Sequence, residues 1–166
     1  IILVGHSFAG CVISGVADRL KDRIQKLIYF DAMILIDGQK PFDITPKETV
    51  EQRIELAKKF GNNISIPAPS ADAFGVFDIK KSLLLEEKLT PHPLSAFQSK
   101  LILKNEVGNG IPLSYIFCTK PVYKSLESSR EVVRKMKWPI FELSAGHDAM
   151  LTHPKETLNL LMKICN

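Results

Sequence analysis

The chain has 166 residues, 45% hydrophobic and 24% charged, with a formal net charge of +4. Those proportions suit one globular domain, at roughly 150 residues per domain, and exclude disorder, collagen and coiled coil as the main state. The charge is mild, with no basic run or aromatic–basic stripe, and no apolar run nears the roughly 20 residues of a spanning helix, so neither nucleic acid nor a membrane is an expected partner.

In chain order, Ile1 to Val4 is a short apolar run bounded by Gly5, as expected of a buried parallel strand. There is no initiating Met and the chain begins inside this run, so the sequence reads as the C-terminal part of something longer. From Phe8 to about Arg23 the period becomes helical: Val12, Val16, Leu20 and Ile24, with Ile13 and Ala17 beside them, form one expected apolar stripe. Lys26 to Phe30 is a second strand, ending at Asp31-Ala32. A strand–helix–strand unit of this length implies parallel pairing.

The stretch 33–105 differs in composition. It holds six of the ten prolines. One clear helix runs from Pro46 to Phe60, with Thr45 and Glu48 as an expected capping box and Gly61 as its stop. A second covers Ile79 to Lys88. Regular alternation then returns: a strand over 112–118, an amphipathic segment over 122–137, a strand over 139–143, and a closing helix over 154–165 with Leu158, Leu161, Met162 and Cys165 on its expected inner face. Strands alternating with helices give an α/β class with a parallel sheet. Residues 1–32 and 106–166 are read as the core and 33–105 as an insertion.

Gly5-His6-Ser7-Phe8-Ala9-Gly10 lies between the first strand and the first helix. G-x-S-x-[G/A] in that setting is the pattern of a nucleophile elbow. A sharp strand-to-helix turn brings the residues two before and two after the serine together, so both must be small, as Gly5 and Ala9 are. The turn lifts Ser7 above the sheet edge at a helix N-terminus, where the backbone N–H of Phe8 can donate to a developing oxyanion. The bland alternative is an anion-binding helix terminus without catalysis. Neither the dinucleotide nor the P-loop glycine spacing is present.

A nucleophilic serine needs a base, and in the order Ser, acid, His that base comes late in the chain. Of the four histidines, His6 lies beside the serine and is assigned to the substrate-binding surface. His92 sits in a proline loop, and His153 caps or borders the last helix. His147, after the last strand and before the last helix, occupies the place a base requires. Its alternative is an ordinary loop histidine.

These segments, with Ser144-Ala145-Gly146-His147-Asp148-Ala149-Met150-Leu151, resemble the α/β-hydrolase superfamily. The closer likeness is to bacterial esterase-like members related to plant methylesterases and hydroxynitrile lyases. Tyr29-Phe30-Asp31-Ala32 with Asp37-Gly38, Leu89 to Pro93, and Ser114 to Thr119 agree with it, and the likeness runs from residue 1 to the end. It implies an α/β-hydrolase fold in which 33–105 is a cap over the active site. It also implies that further N-terminal strands and a second oxyanion donor lie upstream of Ile1. Many relatives carry an Asp after the strand matching Tyr115 to Cys118, but here that loop reads Thr119-Lys120-Pro121-Val122. Two candidates remain for the acid: Glu127, and Asp31 at the end of the preceding strand. Asp31 is the choice, because a carboxylate at a strand's C-terminal end can reach a histidine above the sheet.

The resemblance and the residues together predict a serine hydrolase acting on small carboxylic esters through an acyl-enzyme, with Ser7, His147 and Asp31 as catalytic residues. Phe42, Phe74, Phe77 and Phe97 are expected either to line an apolar substrate pocket or simply to form cap core. Lyase chemistry on the same site, or a non-catalytic binding protein of this fold, are the alternatives. The lyase would want a cationic or other extra polar group in the pocket. No cofactor and no metal are implied, since the histidines and cysteines show no ligand spacing. Three cysteines, Cys11, Cys118 and Cys165, make no disulfide framework, and they suggest a reducing, cytoplasmic setting.

Overall fold

The computed structural model describes residues 1–165. Its elements are β1 (Ile2–Ser7), α1 (Ala9–Arg19), β2 (Lys26–Ala32), α2 (Lys47–Phe60), β3 (Ser65–Ile66), α3 (Ile79–Lys88), β4 (His92–Pro93), α4 (Leu94–Gln98), β5 (Leu113–Cys118), α5 (Glu127–Lys135), β6 (Ile140–Leu143), α6 (Ala149–Thr152) and α7 (Pro154–Cys165). Short 3₁₀ turns join several of them.

The strands β1, β2, β5 and β6 form one parallel sheet in that order. Beyond their first residues, β2 and β5 are buried throughout, as expected where a sheet is covered on both faces. The pleat sorts β2 into two cores. Leu27 and Tyr29 pack with Ile13 and Ala17 of α1 and Val133 of α5. Ile28 and Phe30 pack with Ile116, Leu143 and Ile164 of α7. Helices thus cover the sheet on both faces, in the three-layer arrangement an alternating α/β sequence specifies.

The rotation of α1 matches the expected stripe in part: Ile13, Ala17 and, past the helix, Ile24 are buried and Val16 packs beside them, but two members point outward. Its buried residues are Gly10, Cys11, Ile13, Ser14 and Ala17, while Val12 and Leu20 are about half exposed. Apolar residues run around too much of this helix for periodicity to pick the inward face. Close approach decides instead: a Cβ on Gly10 would lie 2.2 Å from the carbonyl oxygen of Met33, just past β2. On α7 the buried residues are Thr157 and Ile164, with Leu160, Leu161 and Cys165 packed beside them. Leu158 and Met162 point outward, for the same reason: the helix is apolar on more than one side.

Between β2 and β5, helices α2, α3 and α4 and the antiparallel ribbon β3–β4 form the insertion. Its core joins Leu35, Ile44, Ala57, Ile66, Leu94 and Phe97. Both ends of 33–105 pack into the body, since Ile34 and Leu103 sit in the core that holds α1. The start of α2 departs from the capping box. Pro46 occupies the N-cap with no side-chain cap bond, and the Thr45 hydroxyl donates back to Pro41 O at 2.8 Å. The hydroxyl is thus used to close the preceding 3₁₀ turn (Pro41–Ile44).

Gly10→Ala should test how α1 is seated. With a carbonyl 2.2 Å from the added methyl, stability should fall by roughly 1–3 kcal/mol or more, read as a lower midpoint in urea unfolding. An unchanged midpoint would mean that α1 can shift freely on the sheet.

Candidate active site

Ser7 ends β1 and Phe8 begins the turn into α1. Ser7 has φ +54°, a left-handed conformation that a non-glycine residue adopts only where its surroundings force it. The forcing is visible at Gly5, where a Cβ would meet Ala9 O at 2.8 Å. The small residues of the motif are therefore required by the tightness of the turn.

The neighbouring strand answers with an irregularity. His6 pairs with Phe30 but Ser7 pairs with Ala32, so Asp31 is the extra residue of a bulge and has φ +40°. A bulge re-aims a side chain at the end of a strand. Here it turns the carboxylate toward the loop after β6, where His147 is 1% exposed.

These three residues meet. The Ser7 hydroxyl donates to His147 Nε2 at 2.9 Å, and His147 Nδ1–H donates to Asp31 Oδ2 at 2.7 Å. The tautomer follows from the chain of bonds, since an ionised carboxylate can only accept. Asp31 Oδ1 accepts from Arg130 Nη2 at 2.7 Å and from the backbone N–H of Cys118 at 3.4 Å. Arg130 Nη2 also donates to Cys118 O at 2.7 Å. Both charged side chains are buried, Asp31 completely. Glu127, the other candidate acid, lies on the surface and pairs with Arg134 at 2.8 Å.

The imidazole of His147 is flanked by aromatic rings. Tyr123 stacks with it at 4.3 Å and Phe74 at 5.8 Å between centroids. His6 supports the loop from below: its Nε2–H donates to His147 O at 3.0 Å, and the two rings lie 4.5 Å apart. Burial above all, and then the neighbouring His147 ring, push the His6 pKa down to about 4, so His6 is neutral near pH 7. Burial raises the Asp148 carboxyl above its ordinary value.

A cavity of about 630 Å³ opens in front of Ser7 and Phe8. Its far wall is the α2 face carrying Thr49, Gln52, Arg53 and Leu56, a helical i, i+3, i+4, i+7 set. Phe74 and Phe97 line it too. The other aromatic candidates lie elsewhere. Phe42 stacks behind Phe97 at 5.4 Å, and Phe77 is 69% exposed, outside the cavity wall. His6 is also absent from the wall, because its ring is engaged beneath the His147 loop. Among the described residues, no three His, Cys, Asp or Glu side chains cluster as a metal site would require, and no helix is long and apolar enough to cross a membrane.

Sequence reasoning missed Arg130, Tyr123 and Arg53. A signal existed for the first: Arg130 falls four residues after Leu126 and three before Val133, both buried, so a cation stood at a core position and called for a buried anion. Nothing local marks Arg53 or Tyr123, which reach the site only through the packing of the insertion and of the loop after β5.

No protein-family model matches the chain. It is 29% identical over 170 residues to a carbendazim hydrolyzing esterase of Nocardioides sp. (strain SG-4G), an alignment covering 94% of this chain and 67% of that protein. Among solved structures, it is similar to an extracellular α/β-hydrolase from a Paenibacillus species, described as sharing structural and functional homology with tobacco salicylic acid binding protein 2. The TM-score is 0.84 with 27% identity, covering 99% of this chain and 71% of that one. A methylesterase from Arabidopsis superposes with a TM-score of 0.64 at 22% identity, over 98% of this chain and 68% of its own.

Two measurements probe the site's construction. Arg130→Met leaves the Asp31 carboxylate buried without its cation, and unfolding free energy should drop by about 3–5 kcal/mol; a loss under 1 kcal/mol would show the ion pair to be dispensable. His6 titrates near 6.5 when unfolded but near 4 when folded. The unfolded chain therefore binds more protons between those values, and stability should fall as pH drops from about 6.5 to about 4. The upper bound is ~3 kcal/mol, reduced because 29% of the side chain stays exposed. His6→Gln should flatten that limb of a stability–pH curve, and an identical limb in the variant would assign it to other groups.

Proposed function

The chain belongs to the α/β-hydrolase superfamily, in its branch of bacterial esterases and plant methylesterases, and we propose that it cleaves small carboxylic esters with Ser7 as nucleophile. The observation that carries this reading is the unbroken line of hydrogen bonds from Ser7 Oγ, at the cavity wall, through His147 to the buried Asp31.

Each step follows from that line. His147 Nε2 accepts the Ser7 proton as Oγ attacks the ester carbonyl. The charge that develops on the carbonyl oxygen faces the helix N-terminus, where the Phe8 backbone N–H donates to it. Collapse of the tetrahedral intermediate expels the alcohol, which takes its proton from His147 Nε2–H. Water then attacks the acyl-enzyme with the same base, releasing the acid and restoring Ser7. Asp31 accepts from Nδ1–H throughout, which fixes the tautomer and stabilises the imidazolium. Arg130 acts one shell behind it: by occupying Oδ1, it leaves Oδ2 to face His147. Tyr123 and Phe74 restrict rotation of the imidazole and keep bulk water from its faces.

The lyase alternative uses the same serine and histidine without an acyl-enzyme, so trapping separates the two. A fluorophosphonate probe should label the protein at Ser7 and leave Ser7→Ala unlabelled, and p-nitrophenyl butyrate hydrolysis should vanish with that substitution. Asp31→Asn should lower kcat by about 10,000-fold, the scale seen when a triad acid is neutralised, while Glu127→Gln stays within about twofold. Hydrolysis that survives Ser7→Ala would sink the nucleophile assignment, and the reverse ranking of the two carboxylates would move the acid to Glu127.

A further inference from the structure

The cavity wall contains one permanently charged side chain, Arg53, and no carboxylate among its described residues. The Arg53 guanidinium lies over the Phe97 ring, with its carbon 4.8 Å from the ring centroid. That contact engages the charge and is not a hydrogen bond, and the guanidinium carries five N–H donors. Nη1 is buried and has no hydrogen-bond partner. Among the described residues no acidic side chain forms an ion pair with Arg53, although α2 also carries Glu48, Glu51 and Glu55. Glu51 pairs with Lys47 instead.

Arg53 is half-buried in that wall, whose other polar groups are hydroxyls, the Gln52 amide and the His92 ring, and a partly buried full charge is costly unless something balances it. The partner that fits best is a carboxylate, which takes two parallel N–H bonds from a guanidinium and cancels its charge where screening by water is weak. We infer that the cavity accepts an ester whose part remote from the scissile bond bears a carboxylate, a dicarboxylic acid monoester being the simplest case, and that Arg53 binds that carboxylate. The inference rests on the reading of Ser7 as nucleophile, which sets where the scissile carbonyl lies. It deepens that reading, since Arg53 then makes the site selective for anionic over neutral esters. Thr49 and Gln52, on the same face of α2, border Arg53 and offer further polar atoms to the same group.

Binding to the Ser7→Ala protein tests this without turnover. Calorimetry with monomethyl glutarate and with neutral dimethyl glutarate should give at least tenfold tighter binding of the monoester. Adding Arg53→Met should remove that preference, and Arg53→Lys, which keeps the charge but not the fork, should retain part of it. Equal binding of the two compounds, or a preference that persists in Arg53→Met, overturns the inference. In the protein with Ser7 intact, the kcat/KM ratio of monoester to diester should fall at least tenfold on Arg53→Met. If both esters turn over with a ratio indifferent to residue 53, the anion site is wrong and the nucleophile stands. If neither turns over while the binding preference holds, the nucleophile is wrong and the anion site stands.

Discussion

Asp31 is a carboxylate with no exposed surface, and a buried anion is tolerated only where its oxygens are met by donors and its charge is balanced. Both oxygens are met: Oδ2 by the His147 ring, Oδ1 by Arg130 and a backbone N–H. Three separate parts of the chain converge on this group: the end of β2, the loop after β6 and the inner face of α5. The position of each depends on the others. Without the bulge the carboxylate would follow the pleat onto the face of Leu27 and Tyr29, into the apolar core that holds α1. Without Arg130 the charge would be uncompensated. The line to Ser7 exists because all three hold.

This arrangement requires strain. Ser7 and Asp31 both have positive φ without being glycine, a conformation worth of order 1–3 kcal/mol each. The two sit side by side at the same end of the sheet, on adjacent strands whose register slips at that point. The rest of the sheet offsets the cost. Tyr29, Ile28, Ile116 and Tyr115 are buried in the two central strands, and Tyr115 O–H donates to Ala32 O at 2.6 Å, directly beyond the bulge. A packed sheet centre thus holds two strained residues at the C-terminal ends of its strands.

The insertion contributes a different physics. Its own core packs against α1 through Cys11, and Phe97 joins that core to the cavity. The wall it presents is apolar and polar, with one permanently charged group, the Arg53 guanidinium. The body therefore holds the residues proposed for bond-breaking, while the insertion holds the group proposed to select the substrate. Such a division lets one reaction geometry serve different esters through changes in the cap alone.

The sheet, its parallel sense and the helix–strand alternation were legible because they depend on local period. Short apolar runs at 27–30 and 115–118, each with an isoleucine, and 3.6-residue spacing elsewhere, need no knowledge of distant contacts. The elbow at Gly5 to Ala9 was legible for the same reason: its steric demand falls within five consecutive residues. Rotation of α1 and α7 was not, because both are apolar on more than one side, and only the approach of neighbours such as Met33 selects a face. Nor was the exclusion of Phe42 and Phe77 from the cavity, since residue type cannot tell a lining ring from a backing ring or an exposed one. By itself, the sequence determined the fold class and the positions of Ser7 and His147 at strand ends, both consequences of short-range pattern. Tertiary structure alone decided that Asp31 rather than Glu127 meets His147, that Arg130 balances it and that Arg53 faces the cavity. Those contacts join residues 99 to 116 positions apart, or an insertion to a body, and their energy resides in a shared burial that no local window contains.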